Sequence, residues 1–142
     1  MTEAEIARIE DVLGVRLPAE YRGVMLAYPF APDSIANDRE LPNNADRVIE
    51  QNLALRRDGF FDDPWPSTRF ALGGDGLGNE FYLDLLQDAS PVYVADHESG
   101  EYYEEAPSLP AFVADRHRLY AEWAAAAARP PAPRGRWWEF WK

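Results

Sequence analysis

Residues 70–85 constrain the fold more than any other stretch. Phe70-Ala71-Leu72-Gly73-Gly74-Asp75-Gly76-Leu77-Gly78-Asn79-Glu80-Phe81-Tyr82-Leu83-Asp84-Leu85 reads as strand, glycine turn, strand. Four glycines in six residues (73, 74, 76 and 78) permit the positive φ angles that side-chain-bearing residues resist. From Glu80 to Leu85 the pattern alternates: Phe81, Leu83 and Leu85 point one way, Glu80, Tyr82 and Asp84 the other. The expectation is a half-buried strand that shows water a face of carboxylates and tyrosines, which suits binding better than catalysis.

The turn does not carry phosphate chemistry. A Walker loop needs Lys and then Ser or Thr, but Asn79 and Glu80 follow Gly78. A dinucleotide fingerprint needs glycines at i, i+2 and i+5 before a helix; Gly74, Gly76 and Gly78 fall at i, i+2 and i+4 before a strand. An EF-hand counted from Asp75 fails too, because Leu77 and Leu86 occupy its third and twelfth positions. Asp96-His97-Glu98 has metal-like composition, but His117 is the only other histidine and there is no His-Glu-x-x-His pair. A Ser-His-Asp set built from Ser99 or Ser108 lacks a nucleophile elbow. The chain is therefore read as a non-enzyme with no cofactor and no bound metal.

Charge is unevenly spread. Residues 1–60 carry 7 Arg against 11 acids, residues 61–115 carry Arg69 against 12 acids, and residues 116–142 carry 6 basic residues against 2 acids. The middle segment thus accounts for the whole net charge of −11. Such a surface repels nucleic acid and attracts a basic partner. With no cysteine there are no disulfides or thiolate sites, which fits a reducing compartment. Met1-Thr2-Glu3-Ala4-Glu5 is acidic and unlike a signal peptide, and no apolar run approaches a membrane span, so a cytoplasmic location is expected.

Around the hairpin the chain reads as helices. Thr2-Glu3-Ala4-Glu5 is a capping box, Ile6, Ile9 and Leu13 follow at helical spacing, and Gly14 is a C-cap. Pro18 suits the first turn of a second helix with Tyr21, Val24, Met25 and Tyr28 as its stripe, ended by Pro29. Residues 29–44 read as loop. A third helix runs from about Ala45 to Arg57 with Val48, Ile49 and Leu53 facing in, and Gly59 stops it. Phe60-Phe61-Asp62-Asp63-Pro64-Trp65-Pro66 is an aromatic segment expected to lie as a lid on the core. Strands are expected at about 69–73, 80–86, 91–96 and 101–104, with a hairpin turn at Glu98-Ser99-Gly100. Ser108 and Pro110 open a last helix buried through Phe112, Val113, Tyr120 and Trp123, and Pro130 stops it. Helices, an antiparallel meander, then a helix make an α+β fold rather than alternating α/β.

The order of these motifs is similar to the SUKH superfamily, related to the yeast SMI/KNR cell-wall regulator. Ile6-x-x-Ile9-Glu10-x-x-Leu13-Gly14-Val15-x-Leu17-Pro18-x-x-Tyr21 resembles its N-terminal signature. Leu72 to Asn79 through Leu83-Asp84 resembles its central hairpin, Pro91-Val92-Tyr93-Val94-Ala95-Asp96-His97-Glu98 its next strand, and Ala106-Pro107-Ser108-Leu109-x-x-Phe112 the start of its final helix. The resemblance covers about residues 5–125. It implies an antiparallel, curved sheet of about four to six strands with N-terminal helices and a C-terminal helix packed on it. Residues 1–128 form one such domain and residues 129–142 a Pro/Arg/Trp-rich tail.

For bacterial members the resemblance implies an immunity protein that neutralises a cognate toxin of a polymorphic or contact-dependent system, often a nuclease. The alternative is a regulatory scaffold binding an endogenous partner. The family supplies no catalytic residues. From strand alternation and charge, the partner-binding positions expected are Asp75, Glu80, Tyr82, Asp84, Tyr93, Glu98, Glu101, Tyr103 and Glu104. The tail, with Trp137, Trp138, Phe140 and Trp141 among arginines, has no counterpart in the family pattern. It reads either as a membrane-surface anchor or as a segment that docks on its own chain or on a second copy as a homodimer. The cost of holding tryptophan in water favours docking.

Overall fold

Four strands among the described residues form one antiparallel meander, and the helices pack on one side of it. The structure, a computed structural model, describes residues 1–132. In chain order the elements are α1 (Glu3–Leu13), α2 (Ala19–Leu26), a π-helical turn (Ala36–Glu40), α3 (Ala45–Asp58), β1 (Arg69–Gly74), β2 (Glu80–Asp84), β3 (Val92–Ala95), β4 (Tyr102–Ala106) and α4 (Leu109–Ala127). The sheet order is β1-β2-β3-β4, each pair antiparallel. Register shifts between Ala71 and Gly73 and between Val92 and Tyr93 mark bulges, which bend a sheet. The Trp-rich part of the tail, residues 133–142, lies outside the described residues, and with it the expectation of docking or dimerisation through that segment.

Local signals set most helix ends. The Thr2 hydroxyl accepts the Glu5 N–H at 3.2 Å while Glu5 Oε2 accepts the Thr2 N–H at 2.7 Å, a reciprocal capping box. Gly14 closes α1 in the left-handed region at φ 64°. Pro18 stands just before α2 as its N-cap rather than inside the first turn, and α2 ends at Leu26, ahead of Pro29. The stretch read as loop contains the π-helical turn.

The main core lies between the helices and the inner face of the sheet. Ile6, Ile9, Leu13, Tyr21, Met25, Val48, Phe70, Phe81, Leu83, Val92, Leu109 and Phe112 belong to it. Tyr21 and Phe70 meet edge to face at 4.9 Å, Phe81 and Phe112 at 5.1 Å. Two expectations are corrected here. Leu53 is 42% exposed and Asn52 takes the inward position instead. Trp123 is 48% exposed, and the inward position on α4 belongs to Arg116, one turn after Phe112.

Asn52 and Arg116, two of the buried polar residues, each satisfy groups in the interior. β1 is an edge strand, and α3 lies beside it. Asn52 Oδ1 accepts the Ala71 N–H at 2.8 Å, and its Nδ2 donates to the Ala71 carbonyl at 3.0 Å and to the Val48 carbonyl at 2.9 Å. One side-chain amide thus completes the ladder where a fifth strand would stand. Arg116 lies in a second network. Its Nη2 donates to Glu105 at 2.8 Å, its Nε stands 3.3 Å from Glu40 at ion-pair range, and Tyr120 O–H donates to Glu40. The guanidinium covers the Phe112 ring at 4.4 Å. The π-helical turn is thereby tied to α4 and β4.

Gly73 explains why that turn can sit where it does. A Cβ on Gly73 would fall on the backbone carbonyl oxygens of Arg39 and Glu40, so the turn packs directly on the β1 backbone. Of the four glycines, only Gly76 and Gly78 use positive φ, at 79° and 110°.

Candidate partner-binding site

Strand register decides which predicted residues share a face. Tyr82 pairs with Tyr93, Tyr93 with Glu104, and Arg69 with Asp84, so these five lie on the outer face, away from the helices. Glu104 and Tyr103 are neighbours along β4 and therefore point oppositely. Tyr103 pairs with Val94 on the helix side, so it does not join the outer-face set as expected.

The outer face is not open to water at its centre. Phe60, Trp65, Ala71, Tyr82 and Ala95 form a second core, with Leu55, Tyr93 and Tyr102 packed against it. The Phe60–Trp65 segment is a lid, as its composition predicts, but it covers the sheet face opposite the helices. Tyr82 is consequently only 5% exposed, which corrects the expectation of a solvent-facing tyrosine. Arg69, the single cation of the acidic segment, is held in an aromatic cage: its Cζ lies 4.4 Å from the Tyr102 ring centre, 5.4 Å from Tyr82 and 5.5 Å from Trp65. Trp65 N–H donates to the Arg69 carbonyl at 3.2 Å.

The remaining carboxylates divide into turn-builders and exposed groups. Asp75 closes the glycine turn from within, accepting the N–H of Leu77 at 2.8 Å and the Asn79 side-chain amide at 2.9 Å. Asn79 Oδ1 in turn accepts the His97 N–H at 3.0 Å and meets its Nδ1 at 2.7 Å, joining the β1–β2 and β3–β4 turns. Asp84 accepts from the Leu86 N–H and the Gln87 amide, both at 3.0 Å, and Gln87 also donates to Tyr93 O–H at 3.0 Å. Asp96 accepts the N–H groups of Glu98 at 2.8 Å and Ser99 at 3.2 Å, and these hold its carboxyl below the usual carboxylate range. Glu98, Glu101 and Glu104 are exposed. The surface therefore has an ordered frame (Asp75, Asp84, Asp96) and an outer set of exposed carboxylates (Glu98, Glu101, Glu104).

Glu80 belongs to neither group. It turns toward α3, where Gln51 donates to it, and lines a cleft of about 460 Å³ with Arg39, Arg47, Glu50 and Asn79. Burial, aided by the charge of Asp75, pushes its carboxyl up to about 7 against the opposing hydrogen bond from Gln51. A carboxyl raised on folding binds its proton more tightly in the native state, so native stability falls as pH rises from about 4.5 to about 7. Glu80→Gln removes that dependence. Its melting temperature should match the parent's at pH 4.5 and exceed it at pH 8; thermal melts across this range giving parallel curves would refute the assignment.

The serines and histidine weighed for chemistry have structural partners instead. Ser108 Oγ caps α4 by accepting the Ala111 N–H at 3.1 Å, Ser99 Oγ accepts the Glu101 N–H at 3.2 Å, and His117 stacks on Phe30 at 4.5 Å. Among the described residues no group of three or more His, Cys, Asp or Glu is placed to hold a metal ion, and no helix is long and apolar enough to cross a membrane.

Two features escaped sequence reasoning: the Arg69 cage and the exposure of Phe61. Phe61 was visible only as part of an aromatic segment, with nothing to separate it from the buried Phe60.

Against known families, the model of the SMI1 / KNR4 family (SUKH-1) matches residues 1–115. No curated protein and no solved structure matches the chain.

Proposed function

This chain belongs to the SMI1 / KNR4 family (SUKH-1), and from that premise we propose that it is a cytoplasmic immunity protein. It works by contact and not by catalysis: it binds a basic toxin and occludes the toxin's active surface. The observation that carries this reading is the concentration of carboxylates on a rigid sheet, with no Lys or Arg anywhere in residues 70–115. A sheet packed on both faces fixes the backbone that carries its rim carboxylates. Fixed negative charge steers a basic protein into place and speeds encounter. A nuclease toxin, basic where it grips phosphate, has the complementary surface.

The test is capture from native lysate on the immobilised chain, at low and moderate salt. The expected result is one basic protein retained at both, whose toxicity or activity the chain abolishes. The triple variant Glu98→Lys/Glu101→Lys/Glu104→Lys should keep its melting temperature and lose about tenfold or more in association rate. Equal rates for parent and variant would overturn the acidic-surface reading. Retention of a housekeeping complex would instead assign the chain as a regulatory scaffold.

A further inference from the structure

Phe61 is the only non-glycine residue with positive φ among the described residues, at 52°. A bulky side chain is rare in that region, and strain of this kind persists only where the surroundings enforce it. Here they do. Phe60 N–H donates to the Asp63 carbonyl at 2.8 Å and Asp63 N–H to the Phe60 carbonyl at 3.0 Å, closing a tight turn with Phe61 near its tip. Phe60 is buried in the outer core, and Tyr102 O–H donates to Asp63 Oδ2 at 3.0 Å, tying the turn to β4. The enforced conformation buries little of the residue: Phe61 is left 65% exposed.

The ring nevertheless has a fixed position. It meets Phe60 edge to face at 5.0 Å and stacks on His97 at 6.0 Å. His97 is itself held by Asn79 and covers Gly78, where a Cβ would lie 2.9 Å from the imidazole. Next in the chain to Gly78 is Leu77, 77% exposed. Two large apolar side chains thus stand out from one end of the sheet, on the rigid base of His97 and the two turns. Carboxylates neighbour Phe61 and its stacking partner: Asp62 and Asp63 follow Phe61 in the chain, and Asp96 and Glu98 flank His97; on the Leu77 side the Arg39 guanidinium, paired with Asp38 at 3.6 Å, lies against Gly76. The nearest cation along the sequence, Arg57, is already paired with Asp58, two nitrogens to two oxygens at 2.9 Å each.

We infer that Phe61 is the apolar anchor of the partner interface, entering an apolar socket on a basic protein whose Lys/Arg rim meets Asp62, Asp63, Asp96 and Glu98. The inference rests on the reading of the partner as a basic protein and locates its centre. An aromatic ring held in place before binding loses little entropy on docking, and a desolvated aromatic inside a charged rim is the usual form of an interface hot spot.

The probe is the basic protein that the immobilised parent chain retains at moderate salt, purified and titrated against variants. Phe61→Ala should weaken binding at least about 30-fold, mainly through faster dissociation and by the same factor at low and moderate salt. Asp62→Lys should weaken it chiefly at low salt. Phe61→Gly removes the ring and relieves the positive φ, so it should melt no lower than the parent yet bind as poorly as Phe61→Ala. Unchanged affinity for Phe61→Gly, with binding lost in the triple rim variant above, would overturn the anchor and leave the acidic-surface reading standing. Failure to retain any basic protein would overturn both.

Discussion

Arg116→Met should lower the stability of this protein by about 3–5 kcal/mol, the usual loss when one member of a buried ion pair is removed. Over a chain of this size that is a fall of about 10 °C or more in melting temperature. The side chain is 9% exposed and that of Glu40 7%, so the carboxylate left behind has little access to water. Tyr120 would remain its one hydrogen-bond donor. Methionine preserves much of the contact with Phe112 and Phe81, which isolates the loss of charge from the loss of packing. The double variant Glu40→Leu/Arg116→Met should be more stable than Arg116→Met alone, because no buried charge is then uncompensated. Losses that simply add across the cycle, read from denaturant titrations, would show that the two residues act independently.

Asn52→Leu should cost about 2–4 kcal/mol, although it replaces a polar residue by an apolar one of similar size at a fully buried site. Hydropathy alone predicts the opposite sign. The N–H and the carbonyl of Ala71 would lose their only partners outside the β1–β2 ladder, and each buried unsatisfied group costs about 1–3 kcal/mol. Asn52→Asp should be worse: its oxygens keep the Ala71 N–H but face the carbonyls of Ala71 and Val48 with negative charge. Hydrogen exchange at the Ala71 amide offers a local readout. Protection there should fall in Asn52→Leu more than at Phe81 or Val94, in the centre of the sheet. Uniform loss across the strands would point to global destabilisation instead.

These two sites also mark where sequence reading stops. Features encoded within one turn of chain were legible: the Thr2–Glu5 box, the glycine stops at 14 and 59, the Ser108 cap and the alternation in β2. So was the α+β order, and the motif order that resembles the family to which the chain belongs. What failed was anything decided by residues far apart in sequence. Leu53 outranks Asn52 in hydrophobicity, but only the position of α3 beside an open strand edge makes an amide the better inward group. Glu40 and Arg116 are 76 positions apart and each reads as a solvated charge. Tyr82 alternates with Phe81 and Leu83 as an outward residue should; the reading was right about direction and wrong about water, because a lid from before β1 lies over it. Tyr103 and Glu104 could not both face a partner across one strand, a conflict that alternation itself exposes. Of the nine positions expected to meet a partner, the structure groups Tyr93, Asp84 and Glu104 with buried Tyr82, holds Asp75 inside the glycine turn, leaves Glu98 and Glu101 at the hairpin tip, and turns Glu80 and Tyr103 elsewhere.

The glycine turn has a consequence for how such a chain changes over time. Its shape is maintained by Asp75, Asn79, Gly76 and Gly78, and the side chain at position 77 takes no part in closing it. The residue most prominently displayed is thus among the least constrained by folding. The same separation holds at the β3–β4 turn, where Asp96 fixes the backbone while Glu98 is exposed. A lineage built on this scaffold can change the surface it displays by rewriting a few tip residues, leaving its interior untouched. The displayed surface can then drift quickly, while the fold changes far more slowly.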